Sequence, residues 1–502
     1  MSEPLDRLIQ HAHETRVVVI GGGVSGLIAA RECAKVGLQV TVLEASDVFG
    51  GVLRTAEVGG IVLDVGAESY ATRGGIVRGL LGELGLADAV VTPNPAGAWV
   101  AGVPGVGAAP LPKGGVLGIP DNPFDPAVRR IIGWSGAWRA YLDRLRPPLT
   151  IGHTLSLGKL VRSRLGARVL DRLVAPVTSG VYSARPDDID VDLAAPGLNA
   201  ALTRTGSLTG AVAELRARRA STRPADAPAS DVPVVAGAAP QAPAPGGAVE
   251  GIAGGMSRLV DALVIGLTDA GADLRPGVRA EGLHRTDDGW SVSTSADPEP
   301  IAARAVVVAL PEGPARALLA PVVPGLDEGE PVAPVVEVVT LVVNAPELDA
   351  APRGTGVLTV PGSHVAKALT HSSAKWKWVR DATEPGVHVV RVSFGAQSEE
   401  PATASLDDAA AARLALAEAS AMLGVELSAS ALRDSHRSRY VQSQPAATIG
   451  RAAVTAAARG AVRAVPGLGV TGAWVSGTGL AQVIPDARDE ADRVRSAALW
   501  RG

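Results

Sequence analysis

Cysteine is almost missing from this chain: Cys33 stands alone among 502 residues. One thiol excludes an internal disulfide and a cysteine-built metal centre, and it suits a reducing cytoplasm. Net charge is small, −4 at neutral pH, so no whole-chain field argues for nucleic acid as a partner. No apolar run reaches the ~18 residues of a membrane-spanning helix. The opening "MSEPLDRLIQHAHETR" has no basic-then-apolar signal pattern. The eight histidines are scattered, with no i, i+4 pair on a credible helix, which removes the usual acid–base and metal constellations. His371 and His436 read as surface or structural residues, and Cys33 as a small buried hydrophobe.

Apolar residues are plentiful, 47% against 20% charged, the balance of a folded chain of two or three domains. The opening reads strand, glycine turn, helix, strand at Arg16–Ile20, Gly21–Gly26, Leu27–Val36 and Gln39–Leu43, a βαβ unit. Strands are expected at 303–311, where "ARAVVVALP" stops at proline, and at 337–345 and 386–394, the last two in an antiparallel sheet. A helix is expected over 405–424, capped by Ser405 and stopped by Gly424. Residues 126–205 are rich in helical patterns, and "LGVTGAW" (468–474) reads as a last strand running through a glycine turn into a final helix. Residues 219–250 are Ala/Pro/Gly-rich without periodicity. They read as a disordered insertion that cannot bury enough surface to offset its ordering entropy.

Gly21, Gly23 and Gly26 set G-x-G-x-x-G between strand and helix. The first permits the tight turn, the second lets backbone approach a pyrophosphate, and the third lets helix and strand pack closely. The helix N-terminus, with Gly22, Val24 and Ser25, adds N–H groups and positive dipole for the phosphates. Glu44 closes the second strand, where an acidic side chain accepts from ribose hydroxyls, and Ala45 follows it. The continuation "ASDVFGGVLRTAEVGGIVLDVGAES" (45–69) brings Gly50, Gly51 and Arg54 where a plain nicotinamide domain runs on into another crossover helix.

That continuation resembles the FAD-binding amine-oxidase and phytoene-desaturase superfamily, whose second glycine motif adds an arginine near the flavin diphosphate. The resemblance implies FAD as cofactor and places Gly51, Arg54, Gly66, Ala67, Glu68 and Ser69 against it. It also implies that the turn in "TGAWVSGTGLAQVI" (471–484) lies under the flavin ring through Thr478, Gly479 and Leu480. A helix N-terminus there faces the pyrimidine end. Val278, in "RPGVRAEGL", matches the position whose backbone holds the adenine, and Tyr440 sits where a flavin-contacting tryptophan is common.

Within that superfamily, "PLPKGGVLGIP" (110–120), "SLGKLVRSRLGARVLDRLVAPVTSGVYSARPDDIDV" (156–191) and "GGMSRLVDAL" (254–263) resemble the oxygen-dependent, FAD-containing protoporphyrinogen/coproporphyrinogen oxidases. The resemblance covers most of residues 16–495. The expected fold is α/β, in three parts. A Rossmann-type FAD-binding domain takes 15–70, 251–318 and 436–502; a substrate domain with an antiparallel sheet takes 71–125 and 319–435; a helical domain takes 126–205. The implied reaction removes six electrons from a porphyrinogen, with oxygen consumed and hydrogen peroxide released three times over, and needs no strong protein base.

Arg73 matches the family arginine near the active-site mouth, able to hold a carboxylate bidentately or to stand as a solvated loop arginine. Gly180 and Tyr182 match the element facing the flavin across the substrate pocket, and Tyr182 suits a core position equally well. Coproporphyrinogen III, with four propionates, is the expected substrate; protoporphyrinogen IX, with two, is the alternative. A non-catalytic FAD-bound partner of a haem-pathway enzyme is the alternative of another class. The expected setting is cytoplasmic, with room for transient contact with a downstream chelatase and peripheral contact with a membrane. The family pattern is altered in "QPAATIGR" (444–451), where Ala446, Ala447 and Arg451 replace a polar–aromatic pair and a histidine.

Overall fold

A computed structural model describes residues 10–146, 155–221, 249–326, 333–397, 399–441 and 447–500. The opening folds as its spacing predicts: β1 (Arg16–Ile20) leads through the glycines into α1 (Val24–Ala34) and back into β2 (Gln39–Leu43). The helix starts inside the motif, because Gly23 already completes the turn as its N-cap, and it stops short of Gly37, whose φ is 83°.

β1 lies between β2 and Ala305–Val308 in a five-stranded, all-parallel sheet with Asp273–Arg275 and Leu468–Val470 at its edges. Val17, Val18, Val19 and Ile20 of β1 and all of Ala305–Val308 form unbroken apolar, buried runs because both faces are covered there. Val17 and Val19 pack under α1 and the final helix Leu480–Trp500, while Val18 and Ile20 face a layer containing Trp290 and Trp474. The strand expected over 303–311 is shorter, and Pro311 opens the helix Glu312–Leu319. The last strand likewise stops at Val470, and Ala473–Ser476 forms one helical turn before the final helix.

A seven-stranded sheet runs in the order Leu432–Val441, Val335–Asn344, Val387–Phe394, Ala368–His371, Gly356–Thr359, Ala98–Val103 and Gly107–Pro110. All its pairs are antiparallel except Gly356–Thr359 with Ala98–Val103. One face buries Leu341, Leu369, Val390 and Val392 with the helix Asp408–Leu423. Asp407, not Ser405, caps that helix, accepting from Ala410 N–H at 2.7 Å. A carboxylate there also meets the helix dipole. Gly424 ends the helix with φ 69°, as expected.

Helices between Pro126 and Ser221 enclose a separate core around Ile131, Leu160, Leu173 and Leu198. The reading of 219–250 as disordered is corrected at both ends. Helix Leu208–Ser221 runs into it, and strand Val249–Ile252 emerges from it and pairs with Tyr70–Ala71. Residues 222–248 lie outside the described residues. Glu250 is buried because Tyr70 Oη (2.9 Å) and Arg78 Nη2 (2.5 Å) clamp its carboxylate, a long-range contact that local composition does not signal. Among the described residues, no helix is long and apolar enough to cross a membrane.

Candidate active site

Gly21 sits at φ 108° with its N–H donating to Leu43 O at 2.8 Å. A Cβ there would lie 2.5 Å from Ala309 O, and one at Gly26 only 1.8 Å from Gly21 O. Both positions therefore require glycine for close packing. Gly23 differs. Nothing lies within 4 Å of the place its Cβ would take, and no side chain caps the N-terminus of α1. Open space beside the first N–H groups of a helix, around Val24 and Ser25, is the room a diphosphate needs. Gly51 forms the opposite wall: the place of its Cβ is 3.4 Å from Gly23 Cα, and Gly50 N–H donates to Gly22 O at 2.9 Å.

At the end of β2, the half-buried Glu44 carboxylate accepts from Gly22 N–H at 2.8 Å and from the Ser46 N–H and hydroxyl at 2.8 and 2.6 Å. Arg54 donates to Ser46 Oγ at 2.9 Å and to Gly51 O at 3.1 Å. One serine thus links the acidic and basic residues beside the cradle. Ala45 is exposed, and Val278 N–H donates to Glu44 O at 2.8 Å. The C-terminal segment approaches from the other side, with the place of a Gly472 Cβ 3.5 Å from Ser25 Oγ. Beyond it, Thr478 is exposed, Gly479 N–H donates to Gln482 Oε1 at 3.4 Å, and Leu480 is half-buried against the core beneath α1.

Gly66–Ser69 joins the cradle to the large sheet. A Cβ at Gly66 would meet Val52 O at 1.9 Å and Tyr440 Oη at 3.1 Å, and Ala67 N–H donates to Val52 O at 2.9 Å. Ser69 is half-buried. The Glu68 side chain turns to the sheet and accepts from Lys375 Nζ (2.6 Å), Arg391 Nη1 (3.0 Å) and Ser372 Oγ (3.1 Å). Arg391 also donates to Gly66 O. Burial pushes the Glu68 carboxyl up, but the charges and hydrogen bonds of Lys375 and Arg391 outweigh it and hold the group at about 2. Asp64 is the reverse case. Burial raises it to about 7, although Met256 N–H donates to it at 2.8 Å. Sequence reasoning missed Asp64, Lys375 and Arg391; for Arg391 the signal was an arginine inside the apolar strand "VHVVRVSF".

Gly180 and Tyr182 end the helix Ala175–Tyr182, and a Cβ at Gly180 would lie 2.6 Å from Leu358 Cδ2 of the large sheet. Arg73 is exposed on the turn Arg73–Gly75. Burial raises the Tyr182 phenol while the Arg73 charge pulls it the other way, so the two stand within electrostatic reach. The altered late segment joins this element through backbone. Asp190 N–H donates to Ala447 O at 2.7 Å, and Ile449 N–H donates to Asp188 O at 3.0 Å. Gln444, Pro445 and Ala446 lie outside the described residues. Arg451 binds Glu312, which is 2% exposed and also paired with Arg316 at 2.9 Å, so the residue replacing the histidine serves as a structural anchor. His371 is fully buried, 3.1 Å from His388, and structural.

The fold and cradle define a flavoprotein oxidoreductase. Residues 24–495 match the flavin containing amine oxidoreductases; the chain belongs to that family, and its cofactor is FAD. The coproporphyrinogen III oxidase of Propionibacterium freudenreichii subsp. freudenreichii is 29% identical, over 97% of this chain and 92% of that one. That of Mycobacterium tuberculosis (strain ATCC 25618 / H37Rv) is 31% identical, over 92% of this chain and 93% of that one. A crystal structure from Exiguobacterium sp. 255-15 superposes with TM-score 0.78 at 23% identity, covering 96% of this chain and 99% of that one. Reduced UDP-galactopyranose mutase gives 0.65 at 13%, covering 96% and 94%. These two likenesses concern the fold alone.

Proposed function

We infer that the protein oxidises coproporphyrinogen III to coproporphyrin III with oxygen as acceptor. The observation that carries this reading is the coproporphyrinogen III oxidase relatives, alike across more than nine-tenths of the chain. The macrocycle gives up six electrons and six protons, and three molecules of oxygen become three of hydrogen peroxide. Bound FAD supplies the two-electron acceptor for each round and the reaction with oxygen.

The chain's own residues bind and position. Gly21–Gly26, Gly51 and Arg54 hold the diphosphate, Glu44 and Ala45 the ribose, and the Val278 backbone the adenine. Gly66–Ser69, Tyr440 and Thr478–Leu480 border the flavin end. Arg73 offers its guanidinium to a propionate, and Gly180 with Tyr182 walls the substrate side. The reading requires no side chain as catalytic base. The segments of the five-stranded sheet form the cofactor domain, the seven-stranded sheet the substrate domain, and the helices from Pro126 to Ser221 the helical domain. The expected bounds move at two places, since 436–441 pair in the seven-stranded sheet and the helical core extends past 205. Porphyrin fluorescence and peroxide appearing when FAD-loaded protein meets coproporphyrinogen III in air test the reading, with protoporphyrinogen IX in parallel. No rate above autoxidation, with flavin bound, favours the non-catalytic partner instead.

A cytoplasmic setting with peripheral membrane contact is part of this proposal, and one surface supports the contact. On the helix Pro126–Tyr141 and the turn after it, Trp134 (59% exposed), Trp138 (55%), Tyr141, Leu142 and Leu145 face solvent in a chain with only 3% aromatics. Phe124 meets Trp138 edge-to-face with ring centroids 5.0 Å apart, and the Arg129 guanidinium lies 4.1 Å over Trp134. Aromatic and leucine side chains flanked by Arg129, Arg130, Arg144 and Arg146 fit the interface of an anionic bilayer. A metal-free porphyrin product next requires a chelatase, and transient contact with that enzyme belongs to the same proposal.

A further inference from the structure

We propose that Lys367 is a second carboxylate-binding residue of the substrate site, held in place by Ser183. The inference rests on the porphyrinogen reading and extends it to the feature that separates the two candidate substrates.

Lys367 immediately precedes the strand Ala368–His371, and its neighbour Ala368 pairs with Leu358, the residue that meets Gly180. The end of helix Ala175–Tyr182 therefore lies over this end of the large sheet. Ser183 follows with φ 51°, a left-handed conformation uncommon outside glycine and asparagine. That strained turn is fastened twice: Gln397 N–H donates to Ser183 O at 2.6 Å, and Lys367 Nζ donates to Ser183 Oγ at 2.6 Å. Non-glycine residues in such conformations cluster at ligand sites.

Among the described residues, Lys367 has no ion-pair partner; the Ser183 hydroxyl is its hydrogen-bond partner. Glu418, the carboxylate packed on the same loop, is taken by the N–H groups of Val365 and Ala366 at 3.1 and 3.0 Å. Burial pushes the Lys367 ammonium down to about 8, as expected of a charge drawn from water without a counter-ion. Lys367 is half-buried. An ammonium has three donors, so two remain for a ligand, and a charge drawn from water favours a carboxylate partner. The adjoining residue, Tyr182, feels the charge of Arg73. Two cations thus serve consecutive residues of one turn.

Protoporphyrinogen carries its two carboxylates on adjacent rings, whereas coproporphyrinogen carries one on every ring. A cation beyond Arg73 therefore rewards the tetracarboxylate specifically.

The test compares the FAD-loaded protein with Lys367→Met and Lys367→Arg on both porphyrinogens. Expected for Lys367→Met is a KM for coproporphyrinogen raised on the order of ten- to hundredfold, the worth of one charge-assisted hydrogen bond. Its kcat should hold, and its KM for protoporphyrinogen should move much less. Lys367→Arg should recover most of the loss. An unchanged KM for coproporphyrinogen overturns the assignment. So does an equal rise for both substrates accompanied by lost FAD or a lowered Tm, which marks a structural lysine. If the wild type oxidises neither porphyrinogen, the parent reading has failed, and titration with coproporphyrin III by fluorescence quenching still tests the lysine. Weaker binding by Lys367→Met then supports it; equal binding, or none by the wild type, overturns it.

Discussion

Replacing Glu68 by glutamine should loosen the joint between the nucleotide fold and the substrate sheet. The carboxylate is 11% exposed and takes three hydrogen bonds, two of them from Lys375 and Arg391, whose side chains are 15% and 8% exposed. The group is held at about 2, down from 4.5, which corresponds to about 3 kcal/mol favouring the ionised, paired form. Glutamine keeps the shape but leaves two nearly buried cations without a counter-charge, a loss of about 3–5 kcal/mol for a broken buried pair. Because the folded value lies below the unfolded one, this stability is complete above about pH 4.5 and drains away as pH falls towards 2. Urea unfolding of wild type and Glu68→Gln, followed at pH 7 and again near pH 3, reads both quantities. The gap between the two proteins should be about 3 kcal/mol or more at pH 7 and should shrink at the acidic value. A variant within about 1 kcal/mol of wild type at pH 7, or a gap indifferent to pH, would show that the Glu68 cluster does not hold the two layers together.

Other perturbations separate packing from binding. Gly26→Ala drives a Cβ into Gly21 O and should yield protein that purifies without flavin. Gly23→Ala meets nothing in the fold and should weaken FAD binding while leaving apoprotein stability unchanged; absorbance near 450 nm and the apoprotein Tm decide it. The Asp64 carboxyl is raised to about 7 by burial, so its contribution to stability is present below about pH 3.8 and lost as pH climbs through 7. Asp64→Asn should flatten Tm between those values and exceed wild type at pH 8, and a steeper profile would contradict the assignment. Cys33 is buried, with its thiol pushed up to about 12 by that burial, and should ignore a disulfide reagent until denaturant is added; stoichiometric labelling of native protein would show the helix face open. Trp134→Ser with Trp138→Ser should abolish co-sedimentation with phosphatidylglycerol vesicles at unchanged kcat, and failure of the wild type to sediment removes the membrane surface.

Legibility in the sequence followed the range of the interactions involved. The cradle could be read because Gly21, Gly23 and Gly26 recur at a fixed spacing within one turn, Gly26 packing against Gly21 O and Gly23 leaving open space. The strands Val335–Asn344 and Val387–Phe394 declared themselves because both are nearly continuous buried runs. The cap at Asp407 was misassigned to Ser405 because both residue types suit an N-cap and only the first helical N–H groups choose between them. Glu250 was assigned to a disordered insertion on composition, whereas Tyr70 and Arg78, far away in sequence, order it. The same distance concealed the Glu68 cluster and the Lys367–Ser183 contact. Arg451 looked like damage to a motif, and Glu312 gives it a role that no window around residue 451 contains.

The edge strand Leu468–Val470 pairs with Ala305–Val308, and Gly472 beyond it adjoins Ser25 at the mouth of the cradle. The motif at residues 21–26 is therefore made well before residues 468–472, which complete its surroundings. At ordinary elongation rates of about 5–20 residues per second, that delay is tens of seconds. During it, Ala305–Val308 stands without its outer neighbour and α1 without the final helix Leu480–Trp500 that shares its core. Flavin capture therefore follows synthesis of residues 468–480, and chains cut short before Leu468 should be degraded as apoprotein instead of accumulating as partly active enzyme.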